Sequence, residues 1–73
     1  MRYDQKILSS TKGNKYVYII PLAEAGYRLI YHNPPQADTW WDYEELSAAK
    51  QNFLSFNFEE PKVDNYFRCS KDS

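Results

Sequence analysis

One cysteine, one histidine and two glycines are all this 73-residue chain offers of three residue types on which much enzyme chemistry depends. The lone Cys69 cannot close an intramolecular disulfide, which suits a reducing compartment. One His and one Cys cannot supply the three or four protein ligands of a zinc centre, and no metal or cofactor is expected. Gly13 and Gly26 stand apart, so no Gly-rich loop is available to cradle a phosphate. A Ser-His-Asp arrangement would have to use His32, which falls on a segment that reads as strand, and there is no Gly-x-Ser-x-Gly elbow to present a nucleophile. The chain is therefore expected not to be an enzyme, with His32 structural, solvent-facing or lining a binding surface.

Long apolar runs are missing as well. No stretch approaches the roughly 20 residues of a membrane-spanning helix, and Met1 to Thr11 has no apolar segment of the signal-peptide kind. A cytoplasmic protein without membrane association is expected, and Met1 together with a polar tail reads as a complete chain. An excess of one charge is also lacking: nine Lys and Arg against ten Asp and Glu leave a net charge of −1. That balance gives no broad attraction to nucleic acid or anionic lipid. Weak repulsion between copies does permit a homodimer.

What the chain has in surplus is aromatic surface: seven Tyr, four Phe and two Trp. A domain this small buries only about 60% of the surface its unfolded chain exposes. Each buried aromatic offsets that by removing about 150–250 Å² from water. With 42% hydrophobic and 26% charged residues the composition is that of a folded domain rather than a disordered segment. One domain spanning residues 1–73 is expected, with 70–73 a frayed tail.

The N-terminal half reads as strands. Lys6 to Thr11 is short and mixed, and Lys12-Gly13-Asn14-Lys15 supplies turn chemistry because Gly and Asn tolerate positive φ. Tyr16 to Ile20 is five consecutive β-branched or aromatic residues stopped by Pro21, a strand with both faces apolar and so expected to be central. After a turn at Ala23 to Gly26, Tyr27 to His32 alternates: Tyr27, Leu29 and Tyr31 share one face, Arg28, Ile30 and His32 the other, more polar and nearer solvent. Asn33-Pro34-Pro35-Gln36 is a loop.

A helix is expected from about Tyr43 to Ser55. Asp42 with Glu45 has the spacing of a capping box, Trp41 and Leu46 that of a hydrophobic staple, and Glu44 and Glu45 suit the positive end of a helix dipole. Tyr43, Leu46, Ala49 and Phe53, extended by Phe56, form an apolar stripe towards a sheet, with Glu44, Ser47, Ala48, Gln51, Asn52 and Ser55 opposite. Pro61 forbids continuation, and Val63 to Cys69 reads as a final edge strand. The fold class is α+β: an antiparallel sheet of three or four strands with one amphipathic helix on a face, in the order β-β-β-α-β.

The function expected of such a chain is binding, most of all to another protein. Adjacent Trp40 and Trp41 cannot face the same way on regular structure, so if Trp41 makes the staple Trp40 projects elsewhere. Trp, Tyr and Arg dominate binding hot spots, and prolines beside an anchor lower its ordering cost. Trp40, Pro34, Pro35, Arg28, Tyr31 and His32 are the candidate binding residues, and an exposed edge strand offers a second route by strand addition. The alternative is a face for single-stranded nucleic acid, with Tyr16 and Tyr18 stacking bases and Lys12 and Lys15, beside Arg28, tracking phosphates. Against it stand the slightly acidic balance and the lack of a ribonucleoprotein signature. Of the carboxylates clustered at Asp38, Asp42, Glu44 and Glu45, the last three are explained by capping and solvation.

Overall fold

Alternation along the second strand sets the architecture. In the computed structural model, which describes residues 6–72, Val17 and Ile19 point to one face of a sheet and are fully buried, while Tyr16 and Tyr18 point to the other. Residues 1–5 and Ser73 lie outside the described residues, and with them part of the N-terminal reading and the last residue of the expected tail. The strands are β1 Leu8–Lys12, β2 Lys15–Pro21, β3 Tyr27–His32, β4 Thr39–Tyr43 and β5 Arg68–Cys69. They form one antiparallel sheet in the order β1-β2-β3-β4-β5. Helix α1, Leu46–Leu54, lies between β4 and β5 in the chain and packs across one face. The class is α+β, with one strand more than the sequence pattern implied, and β3 rather than β2 is the middle strand. Among the described residues no helix is long and apolar enough to cross a membrane.

The core is the space between that face and α1. Val17, Ile19, Leu29, Tyr31, Trp41, Tyr43 and Cys69 reach it from the sheet, and Ala49 from the helix. Leu46 and Phe53 flank Ala49 as the apolar spacing implies, and Phe56 and Phe58 close the cluster below the helix. Phe56 stands edge-on to Trp41 at 6.3 Å and tilted against Tyr31 at 5.0 Å. Each fully buried Val, Leu or Ile contributes about 1.5–3 kcal/mol. Tyr31 belongs here: its hydroxyl donates to the Phe58 carbonyl at 2.9 Å, on the face opposite Arg28 and His32. That placement puts Tyr31 across the sheet from Arg28 and His32.

Two turns depend on glycine. Gly13 has φ +64° at the first central position of the Gly13–Asn14 loop, where a type II′ hairpin requires it. Gly26 has φ +94°, and a Cβ there would sit 2.8 Å from the Tyr43 carbonyl oxygen. Its own carbonyl accepts from the Leu22 N–H at 3.0 Å and closes the β2–β3 connection.

Several local expectations change. Thr39–Tyr43 is a strand, so the helix begins at Leu46 with Glu45 as N-cap, and no side chain caps it. Asp42 and Trp41 are strand residues and form neither capping box nor staple. Thr, Trp and Tyr favour strands, β4 finds ladders on both sides, and the Asp42 carboxylate finds guanidinium partners instead of helix N–H groups. The last strand is only Arg68–Cys69, because Asn65 turns the chain at φ +65°. Asn52, expected on the polar helix face, is buried and ties that segment down. Its amide donates to the Ala48 and Asp64 carbonyls at 2.9 and 3.0 Å and accepts from the Asp64 N–H at 3.0 Å. Ser70–Asp72, expected to fray, form a single 3-10 turn in which the Ser70 hydroxyl accepts from the Trp40 N–H at 3.2 Å.

Tyr43 is fully buried, and its hydroxyl has no hydrogen-bond partner among the described residues. Burial first, then the charge of Asp64 and the nearby Tyr66, pushes its pKa well above the ordinary tyrosine value. An unpaired buried hydroxyl costs roughly 1–3 kcal/mol. Tyr43→Phe is therefore expected to leave stability unchanged or raise it by about 1 kcal/mol in urea unfolding, and a clear loss would reveal a partner for the hydroxyl. Gly26→Ala is expected to cost roughly 2–3 kcal/mol by the same measurement, from both the positive φ and the carbonyl contact. Gly13→Ala, where a Cβ meets nothing within 4 Å, should cost only about 1 kcal/mol.

The open sheet face as candidate functional site

Among the described residues, no helix lies over the face opposite α1. The pairing register sets its side chains in rows: Tyr16 beside His32, Tyr18 beside Ile30 and Trp40, and Ile20 beside Arg28, Asp42 and Arg68. One end of this face is an ion cluster, the other a basin.

Asp42 centres the cluster. Its side chain has 0% exposure, yet it carries a carboxylate. Arg28 on β3 meets it through Nε at 2.7 Å and Nη2 at 3.1 Å, and Arg68 on β5 through Nε at 3.0 Å and Nη2 at 2.8 Å. Burial alone would push the carboxyl up. Hydrogen bonds to Arg28 and Arg68, with their charges, more than offset this and hold it below the usual carboxylate range. Two guanidiniums on one carboxylate leave one positive charge, carried towards solvent by side chains 27% and 55% exposed. Arg28 also lies over the Trp40 ring, with its guanidinium carbon 3.8 Å from the ring centroid and that of Arg68 at 5.9 Å. Trp40 is thus held half-buried in the middle of the open face, while Trp41 enters the core.

The basin, about 510 Å³, lies at the β1 end. Ser9 and Thr11 of β1, Tyr16 and Tyr18 of β2, and the His32–Asp38 pair line it, with Lys6 at its rim. Asp38 accepts a hydrogen bond from His32 Nδ1 at 2.7 Å, and the imidazole stacks on Tyr16 at 5.5 Å between centroids. Lys6 stands 5.0 Å over the Tyr18 ring. Tyr16 lies between His32 and Thr11 in its row, so imidazole and hydroxyl are two strand spacings apart, roughly 9–10 Å, too far for a base to activate that nucleophile.

Arg28, His32 and Trp40 share this face as expected. Pro34 and Pro35 turn the chain in the β3–β4 connection, outside every strand, where the Gln36 N–H donates to the Asn33 carbonyl at 3.0 Å. Tyr16 and Tyr18 are on the open face, but the register puts Lys12 and Lys15 on the helix face, where Lys12 reaches Glu59 at 3.4 Å. Tyr27 lies on the helix face as well. Sequence reasoning missed Arg68, Asp38, Ser9 and Thr11, and read Asp42 as a cap.

Comparison with known proteins assigns no family: no family model matches the chain, and neither a curated protein nor a solved structure is significantly similar to it.

The cluster yields a pH prediction. A carboxyl whose folded pKa is depressed adds stability that is present above its unfolded value of about 3.9 and is lost as pH falls through the lower folded value. Wild-type stability should therefore drop below about pH 4, and Asp42→Asn should flatten that acid limb. At neutral pH Asp42→Asn is expected to cost roughly 2–3 kcal/mol in urea unfolding, from lost charged hydrogen bonds to two arginines. An unchanged acid limb would show that the cluster does not couple folding to pH.

Proposed function

We propose that this protein is a non-enzymatic interaction module that binds another protein through the open sheet face. The observation that carries this reading is the Arg28–Trp40 contact on a face that no helix covers among the described residues. A half-buried indole and two guanidiniums, fixed by a common carboxylate, form an anchor already ordered before any partner arrives. Such preorganisation lowers the entropy cost of binding, and Trp and Arg are the side chains that dominate hot spots. His32 and Asp38 add a polar rim, and exposed Tyr16 extends the aromatic surface towards β1.

Support for base stacking is weaker. Tyr16 and Tyr18 are accessible to a strand, but Arg28 and Arg68 are bound to Asp42, and Lys12 and Lys15 lie on the other face. Few cations remain beside the rings to track phosphates, on which single-strand affinity depends.

Retention of cellular protein on immobilised wild-type chain and on Trp40→Ala tests the reading, with nuclease-treated and high-salt arms. Trp40→Ala is expected to weaken a discrete protein contact at least about tenfold, while Leu54→Ala, on the far side of the helix, leaves it unchanged. Equal retention by both variants would exclude this surface. Loss of all retention on nuclease treatment would transfer the function to nucleic acid.

A further inference from the structure

The basin beside β1 has a shape that the Trp40 anchor does not require. On the open face β1 carries Ser9 and Thr11, where its neighbour β2 carries Tyr18 and Tyr16. Short hydroxyl side chains next to tall rings make a step, and the step runs out to the sheet edge, where Ser10 also lines it. Among the described residues β1 has no neighbour on its outer side.

The backbone of that edge is set for pairing. Lys12 and Lys15 flank the two-residue Gly13–Asn14 loop and so form a pair that exchanges both ladder hydrogen bonds. Alternation then turns Leu8 and Ser10 towards β2 as well, and turns the N–H and C=O groups of Ser9 and Thr11 outwards. From Leu8 to Thr11 the strand has neither proline nor charge, two of the devices that blunt a free edge, and its one charge is the terminal Lys12.

We propose that β1 is a strand-addition edge. An extended segment of a partner protein pairs with the outward groups of Ser9 and Thr11. It lays two large apolar or aromatic side chains across them, into the basin against Tyr16 and Tyr18. The proposal rests on the reading of the open face as a protein-binding surface and gives that surface its mode of recognition. Main-chain bonds supply the pairing, and alternate side chains in the basin supply the selectivity. An added strand lies about 5 Å beyond β1 and so about 10 Å from β2, a distance that long side chains cross above serine and threonine but small ones do not. A second copy would set Ser9 and Thr11 opposite short residues of its own β1 and leave the basin unfilled. Lys6, which lines the basin at one end of the edge, favours an acidic residue flanking the added segment.

The probe is a synthetic six-residue peptide with phenylalanine at its second and fourth positions, threonine at the third and fifth, and glutamate at each end. A version with alanine replacing phenylalanine is the control. With saturating peptide, amide hydrogen exchange at Ser9 and Thr11 should slow at least about tenfold, while Ser10, already bonded to β2, stays unchanged. Thr11→Pro removes an outward donor without touching the ladder to β2, and proline is tolerated at edges, so the variant should fold and lose the peptide at least about tenfold. Ser9→Tyr fills the basin without altering the backbone and should reduce phenylalanine-peptide binding to that of the alanine control. Resonance shifts at the Trp40 indole without protection at Ser9 and Thr11 would overturn strand addition and leave the open-face reading standing. No response at either place would overturn both. Protection of Ser9 and Thr11 that grows with protein concentration in the absence of peptide would assign the edge to a second copy and overturn the proposal.

Discussion

The carboxylate of Asp42 is the group on which most of the sheet's C-terminal half depends. It is buried on β4 and bonded by an arginine from β3 on one side and another from β5 on the other. A two-residue strand such as β5 has almost no ladder of its own. Its attachment includes the Asp42–Arg68 bonds, the Phe67 N–H donating to the Asp42 carbonyl at 3.0 Å, and Cys69 buried beside Trp41. The same acid fixes Arg28, and Arg28 fixes Trp40. A buried ion pair is weak evidence of net stability against an apolar substitute. Here the evident product is a specific geometry: one strand docked, one indole displayed.

Division of the aromatic residues between two faces follows from strand period. Trp40 and Trp41 are neighbours in the chain and point to opposite sides of β4, one to the open face and one to the core. Tyr16 and Tyr18 are separated in the same way from Val17 and Ile19. The tyrosines of β3 take the helix face, so Tyr31 packs against Phe56 and Phe58. A chain with so much ring surface therefore builds a core on one side and still has rings to present on the other.

Strand β3 was legible to the residue, because its alternation of apolar and polar positions is a local signal that one buried face reinforces. So were the Gly13 and Gly26 turns and the helix stripe through Leu46, Ala49 and Phe53. β4 was not legible as a strand. Asp42 and Glu45 have capping-box spacing, and only the distant Arg28 and Arg68, fourteen and twenty-six residues away, decide otherwise. Spacing rules see neighbours, whereas a buried charge is satisfied by whatever the fold brings to it. Asn52 was misread for the same reason, since its partner Asp64 lies beyond the helix. The open face was legible in Arg28, His32 and Trp40, and the basin was not, because it arises from a height difference between two adjacent strands.

Chain order and sheet order coincide in this molecule, and that has a consequence for how it comes together. Each of β2, β3 and β4 pairs with the strand just before it in the chain, so those three closures span short loops and carry little entropic cost. The last pairing, β4 with β5, spans the helix and the segment beyond it. The first four strands thus make a meander that assembles from local contacts, and the arrival of Arg68 at a carboxylate already awaiting a second cation is the long-range event. Assembly in that order seals the buried charge last.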